Sequence, residues 1–320
     1  MILPEKFHFL DVKPINSSIL SIKNKIFQRK LDGTAAEAFI GYDNLGDVRI
    51  FGRGVLQYGV TSEYSKRFPE IVQSLKSMKE LGLKNTDIVG ELIVIDPNTG
   101  FENLELVQSR NQRDNNIDRY SRMYPALLII IDVVEIEGKD VRKLKYLDRM
   151  NMLKNVLTEK GWKSENVRFI ENFYELNWIY IQKNKLEGVV VRDADAVYNK
   201  SIWKIKLIYT EDVYCKGEYN SSDSMTDGGK ELFASLICYQ LDKEGNKEGK
   251  EIYVADVGGG FTEEKRKEIQ EMLNSGKINK DNPLVLEIKT FGRANSYSKF
   301  RNPIFLRIRS DKPWNKCVIN

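Results

Sequence analysis

Histidine and paired cysteines are scarce in this chain of 320 residues. His8 is the only histidine, so catalysis by a serine–histidine pair and histidine-rich metal sites have little to work with. We expect His8 to be structural or to lie on the surface. The three cysteines are widely separated and form no C-x-x-C pair, which argues against a zinc knuckle and against a disulfide framework. We expect all three to be reduced: Cys215, Cys238 and Cys317.

Long apolar runs are also missing. No run approaches the roughly 20 residues that a membrane-spanning helix needs, and the first residues, Met-Ile-Leu-Pro-Glu-Lys, do not resemble a secretory signal. Hydrophobic residues make up 41% of the chain, which is enough for an ordinary core, and the length suits two domains. We therefore expect a soluble enzyme in the cytoplasm, or in the host cytoplasm if a phage or virus encodes it.

The net charge of +4 is modest but unevenly distributed. Residues 285–320 contain eight basic and two acidic side chains, which is a local net charge of +6. Such a segment indicates a polyanionic partner, although a solvated charged face would have the same composition. The basic residues are Lys289, Arg293, Lys299, Arg301, Arg307, Arg309, Lys312 and Lys316.

Strand patterns alternate with a few amphipathic helix patterns over the first 210 residues, which predicts an α+β body. Apolar residues recur at helical spacing in three segments, and β-branched runs bounded by Gly, Asn or Asp mark the strands. The predicted helices cover 63–81, 145–160 and 172–185, and the predicted strands cover 26–31, 36–42, 48–51, 88–95, 126–134, 187–192 and 201–208.

The last hundred or so residues change character and are typical of a small Greek-key β-barrel. A single helix, which Thr262 would cap and Gly276 would close, interrupts four strands. Polar, turn-rich residues at 219–224 and 227–229 predict a loop shortly after the boundary between the two parts. We place the domains at 1–210 and 211–320. The predicted strands cover 233–241, 251–257, 284–290 and 305–309, and the helix covers 263–274.

The tetrapeptide Lys30-Leu31-Asp32-Gly33 can supply a nucleophilic amine. If the strand extends through it, Gln28, Lys30 and Asp32 project from one face, and Gly33 then permits a tight turn close to a ligand. Burial and neighbouring cations would favour the neutral, reactive amine. A surface lysine at the end of a strand has the same local pattern, so this motif does not decide the function alone.

Two further patterns suit a polyphosphate and a metal ion. Lys204 and Lys206 share one face of a strand and could neutralise an α-phosphate, or could equally lie on an exposed face. Glu187 lies at the start of an apolar strand, and Glu91 begins an apolar run in the same way. An unpaired charge at such a position is costly. Either a hard cation such as Mg²⁺ or a salt bridge would compensate these carboxylates.

Taken together and in order, these motifs resemble those of the covalent nucleotidyltransferases, which comprise ATP-dependent DNA ligases, RNA ligases and mRNA capping enzymes. Residues 257–262 and 300–312 are similar specifically to the OB domain of ATP-dependent DNA ligases of the minimal phage or viral type. The matching motifs, in the family's order I, Ia, III, IIIa, IV, V and VI, are Lys30-Leu31-Asp32-Gly33, Gly52-Arg53-Gly54, Gly90-Glu91, Ile131-Asp132-Val133-Val134, Glu187-Gly188-Val189-Val190-Val191-Arg192, Trp203-Lys204-Ile205-Lys206 and Arg309-Ser310-Asp311-Lys312.

The resemblance implies a nucleotidyltransferase domain of antiparallel sheets and flanking helices, followed by an OB-fold domain. It implies that Lys30 attacks the α-phosphate of ATP, that the AMP passes to a 5′-phosphate of nicked duplex DNA, and that a 3′-hydroxyl displaces it. Glu187 and Glu91 would hold Mg²⁺ or Mn²⁺. The residues implied at ATP or AMP are Gln28 at the base, Glu91 at the ribose, Lys204 and Lys206 at the α-phosphate, Arg309, Asp311 and Lys312 at the pyrophosphate, and also Lys30, Asp32, Gly33, Arg53, Ile131 and Glu187.

Three positions depart from the family pattern. Ala35 stands where relatives usually have an arginine, Ile131 where they have an aromatic residue, and Val89 where they have an aspartate. An aliphatic side chain can still cover a purine face by dispersion, so we expect weaker nucleotide binding rather than none.

For the partner, the resemblance implies a monomer that binds nicked duplex DNA. The residues expected to contact DNA are Arg53, Arg293, Lys299 and Arg301. Two alternatives stay open from the sequence. One is an RNA ligase or mRNA guanylyltransferase of the same superfamily, and the other is a non-catalytic OB-fold protein that binds nucleic acid.

Overall fold

The chain divides into two compact units, Met1–Lys206 and Leu207–Asn320. In the computed structural model, the residues described are 7–53, 62–113, 115–183, 186–227, 230–242, 249–293 and 299–319. Gly54 of the predicted motif Ia, the end of the predicted helix 172–185 and the glycines of the predicted loop at 227–229 lie outside these residues. None of the helices within them combines the length and apolarity that crossing a membrane requires. The predicted boundary, after residue 210, falls four residues beyond the division between the units.

A six-stranded antiparallel sheet forms the body of the first unit. Its order is β4-β3-β5-β6-β7, with a further short strand, β8, pairing in parallel with β6. Its strands are Val-, Ile- and Ala-rich, and most of their side chains are buried. The strands are β3 (Thr34–Tyr42), β4 (Gly46–Gly52), β5 (Thr86–Val94), β6 (Ala126–Ile136), β7 (Lys139–Asp140) and β8 (Val167–Phe169).

A second, four-stranded sheet has the order β1-β10-β9-β2. The strands are β1 (Lys13–Pro14), β2 (Lys25–Arg29), β9 (Gly188–Asp193) and β10 (Ile202–Lys206). Both β2 and β10 run antiparallel to β9. The C-terminal ends of β2 and β10 therefore lie at the same edge as the N-terminal end of β9, and this edge carries the candidate site.

Helices pack against the sheets of the first unit, and the hydrophobic spacing predicts the buried face of the first of them. In α1 (Pro69–Glu80), Ile71, Leu75 and Met78 are buried at helical spacing. The predicted helix began at residue 63, but α1 starts later because Pro69 occupies its first turn. The remaining helices of this unit are α2 (Leu104–Asn111), α3 (Ile117–Met123), α4 (Tyr146–Glu159) and α5 (Trp178–Lys183), of which α2 and α3 were not predicted.

A buried ion network joins β6, α4 and β9. Both oxygens of Asp132 accept hydrogen bonds from Arg149, at 2.6 and 2.8 Å, and Arg192 also pairs with this carboxylate. The side chains of Asp132 and Arg149 are fully buried. Burial would raise the pKa of Asp132, but the two guanidinium groups outweigh it and hold that pKa below its usual value.

The second unit is a five-stranded antiparallel sheet with the order β13-β12-β11-β14-β15. No ladder closes it into a barrel within the described residues, so the predicted Greek-key barrel is only partly formed. One bridge between Gly259 and Ile304 joins the two edges, with the Phe305 amide donating to the Gly259 carbonyl at 2.9 Å. The strands are β11 (Tyr209–Asp227), β12 (Lys230–Leu241), β13 (Glu251–Val257), β14 (Leu284–Thr290) and β15 (Ile304–Ile308).

The helix of the second unit, α6 (Glu263–Asn274), matches the predicted bounds. Thr262 accepts a hydrogen bond from the Lys265 amide and so caps the helix as predicted, and Gly276 follows with a φ of +69°. The predicted loop at 219–224 is wrong, because β11 continues through these residues. Register shifts after Cys215 and Asn220 accommodate the polar residues in the β11–β12 ribbon.

We expect Asp132→Asn to lower the free energy of unfolding by about 3–5 kcal/mol, because it leaves two buried guanidinium groups without a carboxylate. The matched control is Asp140→Asn, which breaks the exposed pair with Arg142 and should cost below about 1 kcal/mol. Urea unfolding of the full chain, followed by circular dichroism, measures both. Equal, small effects would contradict the buried network.

Candidate active site

Three charged side chains meet at one edge of the four-stranded sheet. Lys30 follows β2, Glu187 precedes β9, and Lys206 ends β10. The Lys30 Nζ lies 2.5 Å from Glu187 Oε2, and the Lys206 Nζ lies 2.8 Å from Glu187 Oε1. The backbone amide of Lys30 also donates to the Gly188 carbonyl at 3.0 Å, which ties the end of β2 to the start of β9. We call Lys30, Glu187 and Lys206 the charged triad.

Within the charged triad, the two lysines favour the ionised form of the Glu187 carboxylate. Burial would raise the pKa of Glu187, but the charge of Lys30 and hydrogen bonds from Lys206 and Lys30 outweigh it, so the pKa lies below its usual value. The Glu187 side chain is only 5% exposed, whereas that of Lys30 is 20% exposed. The amine is therefore held by a buried partner while staying accessible from solvent.

Gly33 brings the two sheets of the first unit together immediately after Lys30. A Cβ at this position would lie 2.2 Å from the Leu92 carbonyl oxygen and 2.9 Å from Glu91 Cγ, so any side chain would displace β5. The sequence predicted that Gly33 permits a tight turn close to a ligand. The structure gives β5 as the neighbour that requires the glycine, and this packing also sets Glu91 beside the charged triad.

Glu91 lies on β5 and is partly buried. Burial raises its pKa to about 8, and the charge of Glu187 adds to this, while Lys30 and Arg53 oppose it. Within the described part of the chain, no side chain or backbone amide donates a hydrogen bond to its carboxylate. Glu91 is thus a partly buried carboxylate close to the charged triad, and its oxygens could bind a metal ion.

β2 ends at Arg29, so the strand does not extend through Asp32 as the sequence analysis assumed. The Gln28 amide is buried and donates to Tyr146 Oη at 2.7 Å and to Asn172 Oδ1 at 2.8 Å. Asp32 is also buried.

Glu102 is a neighbour of this motif that the sequence analysis missed. Its Oε2 accepts the backbone N–H of Asp32 at 2.8 Å, and burial raises its pKa. Glu102 lies outside every motif, and only the fold places it beside residues 30–33.

The other predicted residues of the first unit occupy separate positions. Arg53 donates to the Leu10 carbonyl at 2.5 Å, and its charge lowers the pKa of Glu91. Ile131 is half-buried on β6, and its carbonyl accepts a hydrogen bond from Arg192 at 3.1 Å. Lys204 lies on β10 two residues before Lys206, which places both on one strand face as predicted.

In the second unit, Arg309 and Lys312 converge on a carboxylate that the sequence analysis did not identify. Asp212 lies 3.0 Å from the Arg309 guanidinium and 2.7 Å from the Lys312 Nζ. Arg309 also pairs with Asp311 at 2.9 Å, and this hydrogen bond lowers the pKa of Asp311 to about 2. Asp212 on β11 and residues 309–312 after β15 therefore form one ionic cluster. The role of residues 309–312 at pyrophosphate stays a prediction.

The residues predicted to contact DNA in this unit make contacts within it. Arg293 donates to Gln240, and its guanidinium lies 4.1 Å from the centroid of the Phe300 ring. The Lys299 Nζ lies 4.2 Å from the centroid of Tyr253. Arg301 is half-buried, and its backbone bridges to Phe291 and Gly292. Their contact with DNA stays a prediction.

His8 has a structural position, and its surroundings were not predicted. Its backbone amide and Nδ1 contact Glu37, and Nδ1 also contacts Asp87. Its hydrogen bond to Asp87 raises the pKa of His8 to about 9. No sequence signal marked this group, because its three residues lie on separate segments far apart in the chain.

Residues 11–206 match the family model of the ATP dependent DNA ligase domain. The chain is 27% identical over 252 residues to a probable DNA ligase of Dictyoglomus turgidum, covering 72% of this chain and 40% of that protein. It is 25% identical over 244 residues to a DNA ligase of Sulfolobus acidocaldarius, covering 69% and 38%. It is 24% identical over 326 residues to a DNA ligase of Methanococcus aeolicus, covering 93% and 53%. The chain thus spans about half or less of these relatives' lengths.

Solved structures show the same fold at low sequence identity. A structure from work on Lig E DNA ligases as a minimal scaffold for DNA binding has a TM-score of 0.59 at 14% identity, covering 95% of this chain and 100% of that one. The ligase domain of LigD from M. tuberculosis has a TM-score of 0.50 at 15% identity, covering 98% of both chains. The predicted α+β architecture, a nucleotidyltransferase domain followed by an OB-fold domain, is consistent with these neighbours.

We expect Glu91→Gln to flatten the dependence of stability on pH. The folded chain keeps the Glu91 proton up to about pH 8, whereas the unfolded chain releases it near the ordinary pKa of 4.5. The unfolded state therefore binds fewer protons between these values, and the free energy of unfolding falls as pH rises.

Urea unfolding of both proteins at pH 5.5 and pH 8.0, with a chelator present, measures the difference. His8 and Asp87 titrate in both proteins, so the comparison isolates Glu91. Wild type should lose more stability than Glu91→Gln over this range, and parallel losses would show that Glu91 is already ionised in the folded chain.

Proposed function

We propose that this chain, which belongs to the ATP-dependent DNA ligase family, seals nicks between a 5′-phosphate and a 3′-hydroxyl in duplex DNA. The reaction would begin with transfer of AMP from ATP to Lys30. The charged triad is the observation that carries this proposal, because it presents an accessible amine against a buried carboxylate and a second cation.

In the proposed first step, the Lys30 ammonium releases a proton to water, and the neutral amine attacks the α-phosphorus of ATP and releases a second proton to water as the new bond forms. A phosphorus–nitrogen bond forms, and the bond to the leaving pyrophosphate breaks. Glu187 Oε2, at 2.5 Å, orients the nitrogen before attack. Lys206 and Lys204 lie on β10, which pairs with β9, and their charge can stabilise the negative α-phosphate.

The donor set suits a divalent metal such as Mg²⁺. Glu187 and Glu91 offer carboxylate oxygens, which hard cations prefer, and the charge of Glu187 contributes to the raised pKa of Glu91. In the arrangement described, both Glu187 oxygens contact lysines, so a metal at Glu187 would replace one of these contacts. When bound, the ion would supply charge neutralisation at the phosphates.

In the later steps, the AMP would pass from Lys30 to the 5′-phosphate of the nick, and the 3′-hydroxyl would then attack that phosphate and release AMP. The bond to lysine breaks in the second step, so the Lys30 amine is regenerated. We assign Arg53 to the nick phosphate, and its charge already acts on Glu91 beside the charged triad.

Lys30→Ala should abolish the covalent adenylate, because it removes the attacking amine, and should leave measurable closure of a nick that already carries AMP. Gel electrophoresis after incubation with labelled ATP measures the first activity, and sealing of a pre-adenylated nick measures the second. The matched control is Lys23→Ala, which removes an exposed lysine close by in sequence and should change neither.

A labelled adduct in Lys30→Ala would show that another residue is the nucleophile. Loss of both activities, with the circular dichroism of wild type retained, would mean that Lys30 is needed beyond the first step.

We expect an all-DNA nick to be sealed far faster than an all-RNA nick of the same sequence. The expectation rests on the similarity of residues 300–312 to DNA ligases and on the relatives named DNA ligase. Single-turnover sealing of both duplexes, with ATP and Mg²⁺, provides the comparison. Comparable rates, or joining of single-stranded RNA ends, would favour an RNA ligase that uses the same Lys30 chemistry.

A further inference from the structure

His8, Glu37 and Asp87, none of which is assigned to nucleotide transfer, converge on the six-stranded sheet. Glu37 lies on β3 and Asp87 on the adjacent β5, where the register places them diagonally on one face. His8 belongs to the N-terminal segment that passes over this face. Its Nδ1 lies 3.1 Å from Glu37 Oε1 and 3.2 Å from Asp87 Oδ2.

The two carboxylates of this group are deeply buried and poorly neutralised. Glu37 is fully buried, and Asp87 is only 2% exposed. His8 supplies at most one positive charge against two carboxylates. Asp87 Oδ1 is buried and receives no hydrogen bond from any residue that the structure describes. A buried acceptor without a donor is costly, so this oxygen calls for a ligand.

We propose that His8, Glu37 and Asp87 bind a divalent metal ion of the zinc type. One imidazole nitrogen and two carboxylate oxygens form a donor set that Zn²⁺ commonly uses. All three ligand atoms lie within 4.8 Å of one another. Metal–ligand bonds of about 2.0–2.1 Å in a tetrahedron separate neighbouring ligands by roughly 3.3–3.4 Å. The separations of 3.1 and 3.2 Å from Nδ1 need only a small adjustment to reach this value.

The charge of a divalent metal suits this group. A dication with neutral His8 and two carboxylates gives a site without net charge. A fourth ligand could be water. The metal would fasten the N-terminal segment to β3 and β5, where the His8 amide already donates to both Glu37 oxygens at 2.9 and 2.8 Å. This site is independent of the proposed ligase activity.

The single histidine of the chain makes the test direct. In a tag-free, full-length protein labelled with ¹⁵N at histidine, the only ring resonances come from His8. Titration with ZnCl₂, after removal of metals with a chelator, should shift the Nδ1 resonance and saturate at one equivalent. Ring resonances that stay unmoved at a several-fold excess of Zn²⁺ would overturn the proposal, even if Zn²⁺ binds elsewhere.

Variants then assign the carboxylate ligands. Asp87→Asn and Glu37→Gln keep the side-chain shapes and should each weaken Zn²⁺ binding at His8 by about tenfold or more, since even groups behind a metal's ligands contribute that much. Glu187→Gln, which alters the other carboxylate site, should leave the His8 titration unchanged. Equal affinities in Asp87→Asn and wild type, or a His8 shift that disappears in Glu187→Gln, would contradict the assignment.

Discussion

The antiparallel pairing of β2 and β10 with β9 is the constraint on which the candidate site depends. It brings Lys30 directly after β2, Lys206 at the end of β10 and Glu187 directly before β9 to a single sheet edge. Residues more than 150 positions apart in sequence therefore contact each other. Gly188 makes the approach possible, because a Cβ there would lie 2.1 Å from the Ile205 carbonyl oxygen. Gly33 then leads the chain into the six-stranded sheet, where Glu91 lies close to the charged triad. The chemistry assigned to Lys30 follows from strand order and two glycines as much as from the lysine itself.

A shared pattern of charge recurs across the described residues. Glu187 contacts Lys30 and Lys206, Asp132 contacts Arg149 and Arg192, and Asp212 contacts Arg309 and Lys312. In each, one carboxylate lies between two cations, which compensates for its loss of hydration. The group at His8 has the opposite balance, with two buried carboxylates and one imidazole. That reversal is why we assign a metal ion there and not an anion.

The sequence predicted helices and strands well where the hydrophobic periodicity agrees with the positions of turn and capping residues. The bounds 251–257, 284–290 and 263–274 match to the residue, since turn residues and the Thr262 cap mark their ends. Prediction failed where tertiary contacts override local pattern. The polar residues 219–224 read as a loop, but pairing with β12 keeps them extended. The sequence could not show that β2 ends at Arg29 or that Tyr146 and Asn172 accept hydrogen bonds from the Gln28 amide, because these partners are far away in the chain. Glu102, Asp212 and the group at His8 lie outside every motif, because only the fold brings their partners near.

The central claim is that the Lys30 nitrogen, which contacts Glu187, is the atom that receives AMP. The most direct measurement is tandem mass spectrometry of the wild-type chain after incubation with ATP and Mg²⁺ and digestion under conditions that preserve phosphoramidate bonds. We predict a single AMP adduct, on Lys30. An adduct on Lys204 or Lys206 with Lys30 unmodified would contradict the account, as would efficient nick sealing by a chain that never carries AMP.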